Sequence, residues 1–290
     1  MLVTMKELLV EAKKGGYGVP APNCFNRESI EACFKAAKKL RSPVILDVSF
    51  VHGAEECAEI ARYYERKYPE VPFALNQDHG RDFESAVACI RAGFSSIMVD
   101  RSLLPYEENV AQVKELVKIA HAVGVTVEAE LGHVGMGAEY EQTRDSGLTD
   151  PDQAVQFVKD TGIDCLAVAV GTSHGMYKGT PHIDLDLLDT LAERIEIPLV
   201  LHGGSGTGDE NLSKAIEHGI QKVNLWTDLS MAGMHGTNVA MNGENEGAVT
   251  VVTNDEFQCQ NWQVAIHKGA ETYQAKLEHY MKLFGSANRW

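Results

Sequence analysis

Short apolar runs alternate with amphipathic stretches along the whole chain, and each apolar run ends in polar residues fit for chemistry. The runs at 17–22, 43–49, 71–76, 94–99, 125–131, 165–170, 197–202 and 220–225 are rich in aliphatic residues, as expected of parallel strands buried on both faces. Helical patterns lie between them. In 27–40, Ile30, Cys33, Phe34 and Ala37 recur at helical spacing, and basic residues gather at the C-terminal end, where they complement the helix dipole. In 150–162, Asp150 supplies an N-cap, Pro151 takes the first helical position and Gly162 marks the stop. The opening MLVTMKELLVEAKKGG predicts an amphipathic first helix unlike a signal peptide, and 262–283 predicts a last one. The glycine- and asparagine-rich stretch 231–262 reads as an irregular surface excursion. Eight strand–helix units predict an α/β fold, a single (β/α)8 TIM barrel spanning residues 1–290.

In a parallel barrel all strand ends open onto one face, so residues far apart in sequence converge there. In chain order these are Asn23, Ser49, Asp78 with His79, Asp100 with Ser102, Glu130, Gly171 to His174, His202 to Ser205, and Asn224 to Asp228. His79, His174 and His202 follow strands three, six and seven. Three imidazoles can hold a catalytic zinc with one coordination position left open, and His133, just past strand five, competes for a place among them. The remaining histidines, His52 included, read as surface or core residues. The turns GTSHGMYKG (171–179) and HGGSG (202–206) let backbone amides approach an anion, and 223–228 follows strand eight, where barrels commonly bind phosphate. Neither turn has the spacing of a nucleotide-binding P-loop. Asp78, beside a candidate ligand, is placed to move protons on a metal-bound substrate. Glu139 and Glu141 sit on a polar, glycine-containing loop after strand five that either closes over substrate with a second base or is plain solvated surface.

Composition narrows the classes. A net charge of −15 with no basic patch argues against nucleic acid as a partner. No apolar stretch reaches 18 residues, so no membrane span is expected. The six cysteines are scattered and never spaced as CxxC, which suggests reduced thiols, a cytoplasmic setting and no thiolate zinc site.

Taken together, DHG (78–80), EAELG (128–132), AVGTSHGMYKGTP (169–181), PLVLHGGSG (198–206) and KVN..TDL (222–229) resemble the class II, zinc-dependent ketose-bisphosphate aldolases of the fructose- and tagatose-bisphosphate type. The resemblance runs from the first helix to the closing FGSANRW, and GSANR looks most like the tagatose branch. It implies zinc on His79, His174 and His202, with Glu130 matching a carboxylate that takes a second or relocating cation, divalent or monovalent. It implies that Asp78 exchanges the C4 hydroxyl proton and that Glu139 or Glu141 handles the C3 proton. Gly175, Lys178, Gly203, Ser205, Asn224 and Thr227 match residues around the dihydroxyacetone-phosphate half, and Ser49 joins them as a substrate-binding candidate at the end of strand two. A homodimer or homotetramer is implied, with a basic residue, Lys276 or Arg289 here, reaching a neighbour's site.

Four positions depart from the family pattern, and the loop GMGAEYE (135–141) stands where the family reads GGxED, which leaves the second base open between Glu139 and Glu141. Asn76 replaces a histidine, Ser230 replaces a basic residue, Trp226 stands where the two branches have Asp or Ala, and Arg101 interrupts a DGS-like turn. Arg101 is expected near the barrel mouth, pairing with an anionic distal group of the substrate or pointing to solvent. No lysine is read inside an apolar strand, which favours a metal over an imine for holding the charge left by C3–C4 cleavage. The leading reading is zinc-dependent retro-aldol cleavage of a ketose 1,6-bisphosphate, or a related ketose 1-phosphate, to dihydroxyacetone phosphate and an aldehyde. A zinc hydrolase acting on a phosphorylated small molecule and a non-catalytic sugar-phosphate-binding paralogue are the alternatives.

Overall fold

A computed structural model describes residues 1–143, 145, 147–242 and 262–290. The eight apolar runs form eight parallel strands: β1 (Val19–Pro22), β2 (Val44–Ser49), β3 (Phe73–Gly80), β4 (Ser96–Val99), β5 (Thr126–Leu131), β6 (Cys165–Val168), β7 (Leu199–Leu201) and β8 (Ile220–Leu225). They pair in the order β1–β8–β7–β6–β5–β4–β3–β2. The sheet closes where Asn23 bridges Asp47 and the Cys24 amide donates to the Asp47 carbonyl at 2.7 Å. The result is the (β/α)8 barrel.

Ten helices of the described residues surround or close the barrel: α1 (Met5–Gly15), α2 (Arg27–Leu40), α3 (Ala54–Lys67), α4 (Phe83–Ala92), α5 (Tyr106–Ala122), α6 (Pro151–Thr161), α7 (Leu185–Arg194), α8 (Asp209–Glu217), α9 (Thr227–Asn242) and α10 (Trp262–Leu283). Local signals set their ends. Asn26 and Asp82 each form a reciprocal capping box, Asp150 accepts from the Gln153 amide, and Gly16, Gly93 and Gly162 close α1, α4 and α6 with positive φ. None of these helices is long and apolar enough to cross a membrane.

Strand alternation sorts the barrel interior into layers. At the N-terminal end, Val19, Ile45, Ala74, Cys165 and Val200 pack against Met5, Leu8, Leu9 and Ala12 of α1, which plugs that end. Two residues further along, Asp47, Asn76, Glu128 and Lys222 point inward and are fully buried. Two further still come Asp78, Glu130, His202 and Asn224. An apolar floor thus supports a charged middle layer, and the middle layer supports the mouth.

The irregular excursion expected at 231–262 is corrected for its first part, because 231–242 belongs to helix α9. Residues 243–261 lie outside the described residues. Gly236, one of the glycines that suggested irregularity, is a packing position. A Cβ on Gly236 would meet Thr272 Oγ1 at 2.2 Å, and one on Gly269 would meet Thr237 Oγ1 at 2.5 Å, so small residues let α9 and α10 approach closely. Five cysteines are described, and all are buried free thiols.

Candidate active site

A bulge in β3 creates the centre of the mouth. Consecutive side chains of a regular strand point to opposite faces, yet Asp78 and His79 both line the same cavity. The β3–β4 register slips between Gln77 and Gly80, and His79 takes φ = 48°, a left-handed conformation that costs a non-glycine residue roughly 1–2 kcal/mol. Gly80 is required beside it, since a Cβ there would lie 2.3 Å from the Met98 carbonyl.

His79, His174 and His202 converge, with ring centroids 4.6–5.7 Å apart. The Nε2 atoms of His79 and His174 face each other at 3.2 Å. Two nitrogens bound to one tetrahedral zinc at about 2.0–2.1 Å would stand about 3.3 Å apart, so this spacing fits a shared cation. Each ring is held from behind. His79 Nδ1 meets Asp100 Oδ2 at 2.8 Å, His202 Nε2 meets Glu128 Oε1 at 2.8 Å, and His174 is hydrogen-bonded to the Val134 backbone. Outer partners of this kind fix the tautomer of a ligating histidine. They leave His202 Nδ1 buried without a hydrogen-bond partner and aimed at the cluster, as a ligand atom would be.

A second group shares His79. Its ligand atoms, with one each from Asp100 and Glu130, lie within 4.8 Å of one another. Glu130 Oε1 accepts from the Val134 amide at 3.1 Å, while Oε2 is buried and unpaired. Burial, reinforced by the Asp100 charge, pushes Glu130 up to about 8. Burial lowers His79, but the charges of Asp78, Asp100 and Glu130 overcome it and raise the ring to about 10. Positive charge is therefore stabilised at this spot, and a divalent cation meets the same field. His133, the competing imidazole, is 42% exposed and instead contacts Ser102 Oγ at 3.1 Å.

Asp78 is held by two amides: Asn23 Nδ2 donates to one oxygen at 2.7 Å and Asn224 Nδ2 to the other at 3.0 Å. Burial opposes ionisation, but His79, His202 and Lys222 together hold the carboxyl down at about 2. Ser49, Gly175, Gly203, Ser205, Asn224 and Thr227 line the same cavity. The Ser205 hydroxyl accepts from the Trp226 and Asp228 amides at 3.2 Å each, tying the turn after β7 to the start of α9.

This layout decides the family. The chain matches the model of the class-II fructose-bisphosphate aldolases over residues 3–289. It belongs to that family. The YdjI aldolase from Escherichia coli K12 superposes with a TM-score of 0.84 at 30% identity, over 100% of this chain and 99% of that one. A fructose-bisphosphate aldolase from Campylobacter jejuni shares the fold, with a TM-score of 0.82 at 24% identity over 100% and 97% of the two chains. The protein is a class II aldolase, a carbon–carbon lyase.

Other expected site residues of the aldolase lie elsewhere. Arg101 does not reach the mouth. Its Nη1 donates to the Gly80 and Asp100 carbonyls at 2.8 and 2.6 Å and its Nε to Gln112 at 2.7 Å, so the guanidinium braces the bulge from outside. We expect Arg101→Ala to leave the Michaelis constant of the best substrate unchanged. It should destabilise the fold by roughly 1–3 kcal/mol through the carbonyls it orphans, as a melting curve would show. Lys178 is exposed and outside the cavity lining. Glu139 and Glu141 are also exposed and outside it. Their loop is docked on the segment after β6: Gly135 and Met136 bridge Ser173 and His174, and the buried Tyr140 bonds the His182 backbone on both its sides. Arg289 stacks on Tyr17 at 4.4 Å, at the opposite end of the barrel, and Lys276 lies over the Tyr280 ring.

The main omission of the sequence reading is the middle layer. Lys222 does occupy a strand interior, contrary to expectation, and is fully buried between Glu128 Oε2 at 2.7 Å and Asp47 Oδ2 at 3.3 Å. Burial lowers its pKa, but Asp47, Glu128 and Asp78 more than reverse that and hold it above the ordinary lysine value. A protonated, doubly paired ammonium is no nucleophile, so the pairing of Lys222 disfavours an imine at this lysine. Asn76 belongs to the same layer, donating to Asp47 Oδ1 at 2.8 Å. Glu128 and Lys222 were legible by alternation, being two residues before Glu130 and Asn224.

Proposed function

We propose that this aldolase cleaves the C3–C4 bond of a ketose 1-phosphate, the class that contains fructose and tagatose 1,6-bisphosphates, to dihydroxyacetone phosphate and an aldehyde, with zinc on His79, His174 and His202. The observation that supports this is the convergence of the three rings, each oriented by an outer partner, on a point beside Asp78. Zinc bound there would act as a Lewis acid on the substrate's vicinal oxygens and stabilise the negative charge left by bond cleavage. Glu130 and Asp100, with His79, form the natural place for a second cation.

The chain's own residues would do the rest. Asp78 is ionised, fixed by Asn23 and Asn224, and faces the cavity, so it would take the C4 hydroxyl proton in cleavage and return it in condensation. The glycine-rich turns at Gly175 and Gly203 would offer backbone amides to the C1 phosphate, with Ser205, Asn224 and Thr227 beside them. Glu139 or Glu141 would serve the C3 proton and Lys178 would reach the phosphate only after their loops shift over the mouth.

The test is to incubate purified protein with fructose 1,6-bisphosphate, tagatose 1,6-bisphosphate and fructose 1-phosphate and follow dihydroxyacetone phosphate and inorganic phosphate separately. We expect triose phosphate release that a chelator reduces at least 100-fold and added zinc restores. Phosphate release without triose would establish the hydrolase reading instead.

A further inference from the structure

Three backbone turns meet at the side of the cavity expected to take the C1 phosphate: 171–179 after β6, 202–206 after β7 and 224–228 after β8. Gly203 and Gly206 give the middle turn positive φ angles of 68° and 76°. Amides on so permissive a backbone keep one direction only if side chains fix the turns from behind. Tyr177 supplies one such tie. Its hydroxyl accepts from the Ser173 amide at 2.8 Å and donates to the Gly203 carbonyl at 3.0 Å, joining the first turn to the second.

Asp228 joins the second turn to the third. The Gly206 amide donates to its Oδ2 at 3.1 Å, while its own amide donates to the Ser205 hydroxyl at 3.2 Å. Ser205 and Thr227 line the cavity, and Gly206 and Asp228 are the next residue of each turn. The same Oδ2 also accepts from the Tyr280 hydroxyl, which reaches in from α10, 52 positions further along the chain. Tyr280 is 2% exposed, with its ring 5.4 Å from Phe284 and 4.7 Å from the Lys276 ammonium. Burial and the Asp228 charge push its phenol well above the ordinary tyrosine value, so it stays a donor at neutral pH.

This bond acts on a bound phosphate in two ways. It fixes the carboxylate that aligns the Gly206 amide, and with it the turn that carries Ser205. It also restrains a negative charge one residue from the cavity lining, where a freely rotating carboxylate would repel a phosphate dianion. The chain of bonds from Tyr280 through Asp228 to Gly206 touches neither Asp78 nor the three histidines, so its effect falls on binding rather than on bond cleavage.

We propose that Tyr280 is a positioning residue for the C1 phosphate, acting through Asp228 to hold the turns after β7 and β8 in their anion-binding form. The assignment rests on the aldolase reading above, which puts the triose phosphate at these turns, and adds a residue of the last helix to it.

Calorimetry provides the test. Zinc-loaded protein is titrated with dihydroxyacetone phosphate, and ketose cleavage is measured in parallel on the fastest of the three sugar phosphates named above. Tyr280→Phe removes the hydroxyl and keeps the ring. It should weaken dihydroxyacetone phosphate binding about tenfold and raise KM by about the same factor, with kcat within about threefold and bound zinc unchanged. In an Asp228→Ala background the same change should alter the Kd by less than about twofold, because both residues act through one carboxylate. A Kd for Tyr280→Phe within twofold of the unaltered protein would overturn the assignment. So would a loss confined to kcat, or a tenfold weakening that persists in the Asp228→Ala background, and each leaves the aldolase reading intact. An unaltered, zinc-loaded protein that does not bind dihydroxyacetone phosphate would overturn both.

Discussion

Asp78→Asn is expected to lower kcat for ketose cleavage by about 10³, while KM stays within about threefold and bound zinc per chain is unchanged. Asp78 accepts one amide hydrogen bond on each oxygen, from Asn23 and Asn224, and faces the cavity as an ionised carboxylate poised for the C4 hydroxyl proton rather than for the phosphate. Its loss should therefore fall on proton transfer and spare ground-state binding. An asparagine keeps the shape but turns an amide nitrogen towards one of the two amides, at a local cost of roughly 1–3 kcal/mol. A melting curve run beside the kinetics separates that cost from the catalytic one. A fall in kcat below tenfold, with zinc still bound, would remove Asp78 from the proton path.

The second large effect lies beneath the mouth. Lys222→Met should lower the melting temperature by about 10 °C and weaken zinc binding by about 10–100-fold. Lys222 is the cation between Glu128 and Asp47, and all three are completely buried. Removing one partner of a buried ion pair leaves uncompensated charge and costs about 3–5 kcal/mol. The zinc effect follows from Glu128, which is held by Lys222 on one oxygen and orients His202 with the other. Lys222→Met combined with Glu128→Gln removes one charge of each sign and should recover part of the melting temperature but not the zinc affinity. Calorimetry and zinc titration of the single and double variants check both. A shift below 2 °C for Lys222→Met would show that the middle layer does not carry the load assigned to it.

The fold was readable because a parallel barrel repeats one unit, and each repeat carried its own signals: aliphatic runs, Asn26, Asp82 and Asp150 as caps, Gly93 and Gly162 as stops. The convergence of His79, His174 and His202 followed from topology alone, since eight strand ends share one face. What escaped depended on direction. Arg101 lies just past the end of strand four, where a side chain could enter the mouth, yet the β3 bulge offers it the Gly80 carbonyl on the outer side and turns it away from the mouth. Lys222 was overlooked because a lysine in a strand reads as an edge or surface residue, and its partners Asp47 and Glu128 are 175 and 94 positions away in sequence. His52 carried no signal at all, since its place at the cavity depends on ring contacts with Phe25, on the approach to α2, and Trp226, at a separate strand end. Gly233 and Gly236 read as helix breakers yet lie inside α9, where Gly236 is a close contact with α10, because tertiary packing outweighs a propensity cost of about 1 kcal/mol per glycine.

The most direct measurement is a zinc titration of chelator-stripped protein, recording dihydroxyacetone phosphate release from a ketose 1-phosphate at each addition. Three histidines on one ion beside Asp78 predict a rate near zero without metal that rises with zinc to a plateau, and the same titration of His202→Ala should stay flat. Triose release at the full rate from the stripped protein, or an unchanged titration for His202→Ala, would contradict the assignment of this cluster as the centre of the reaction.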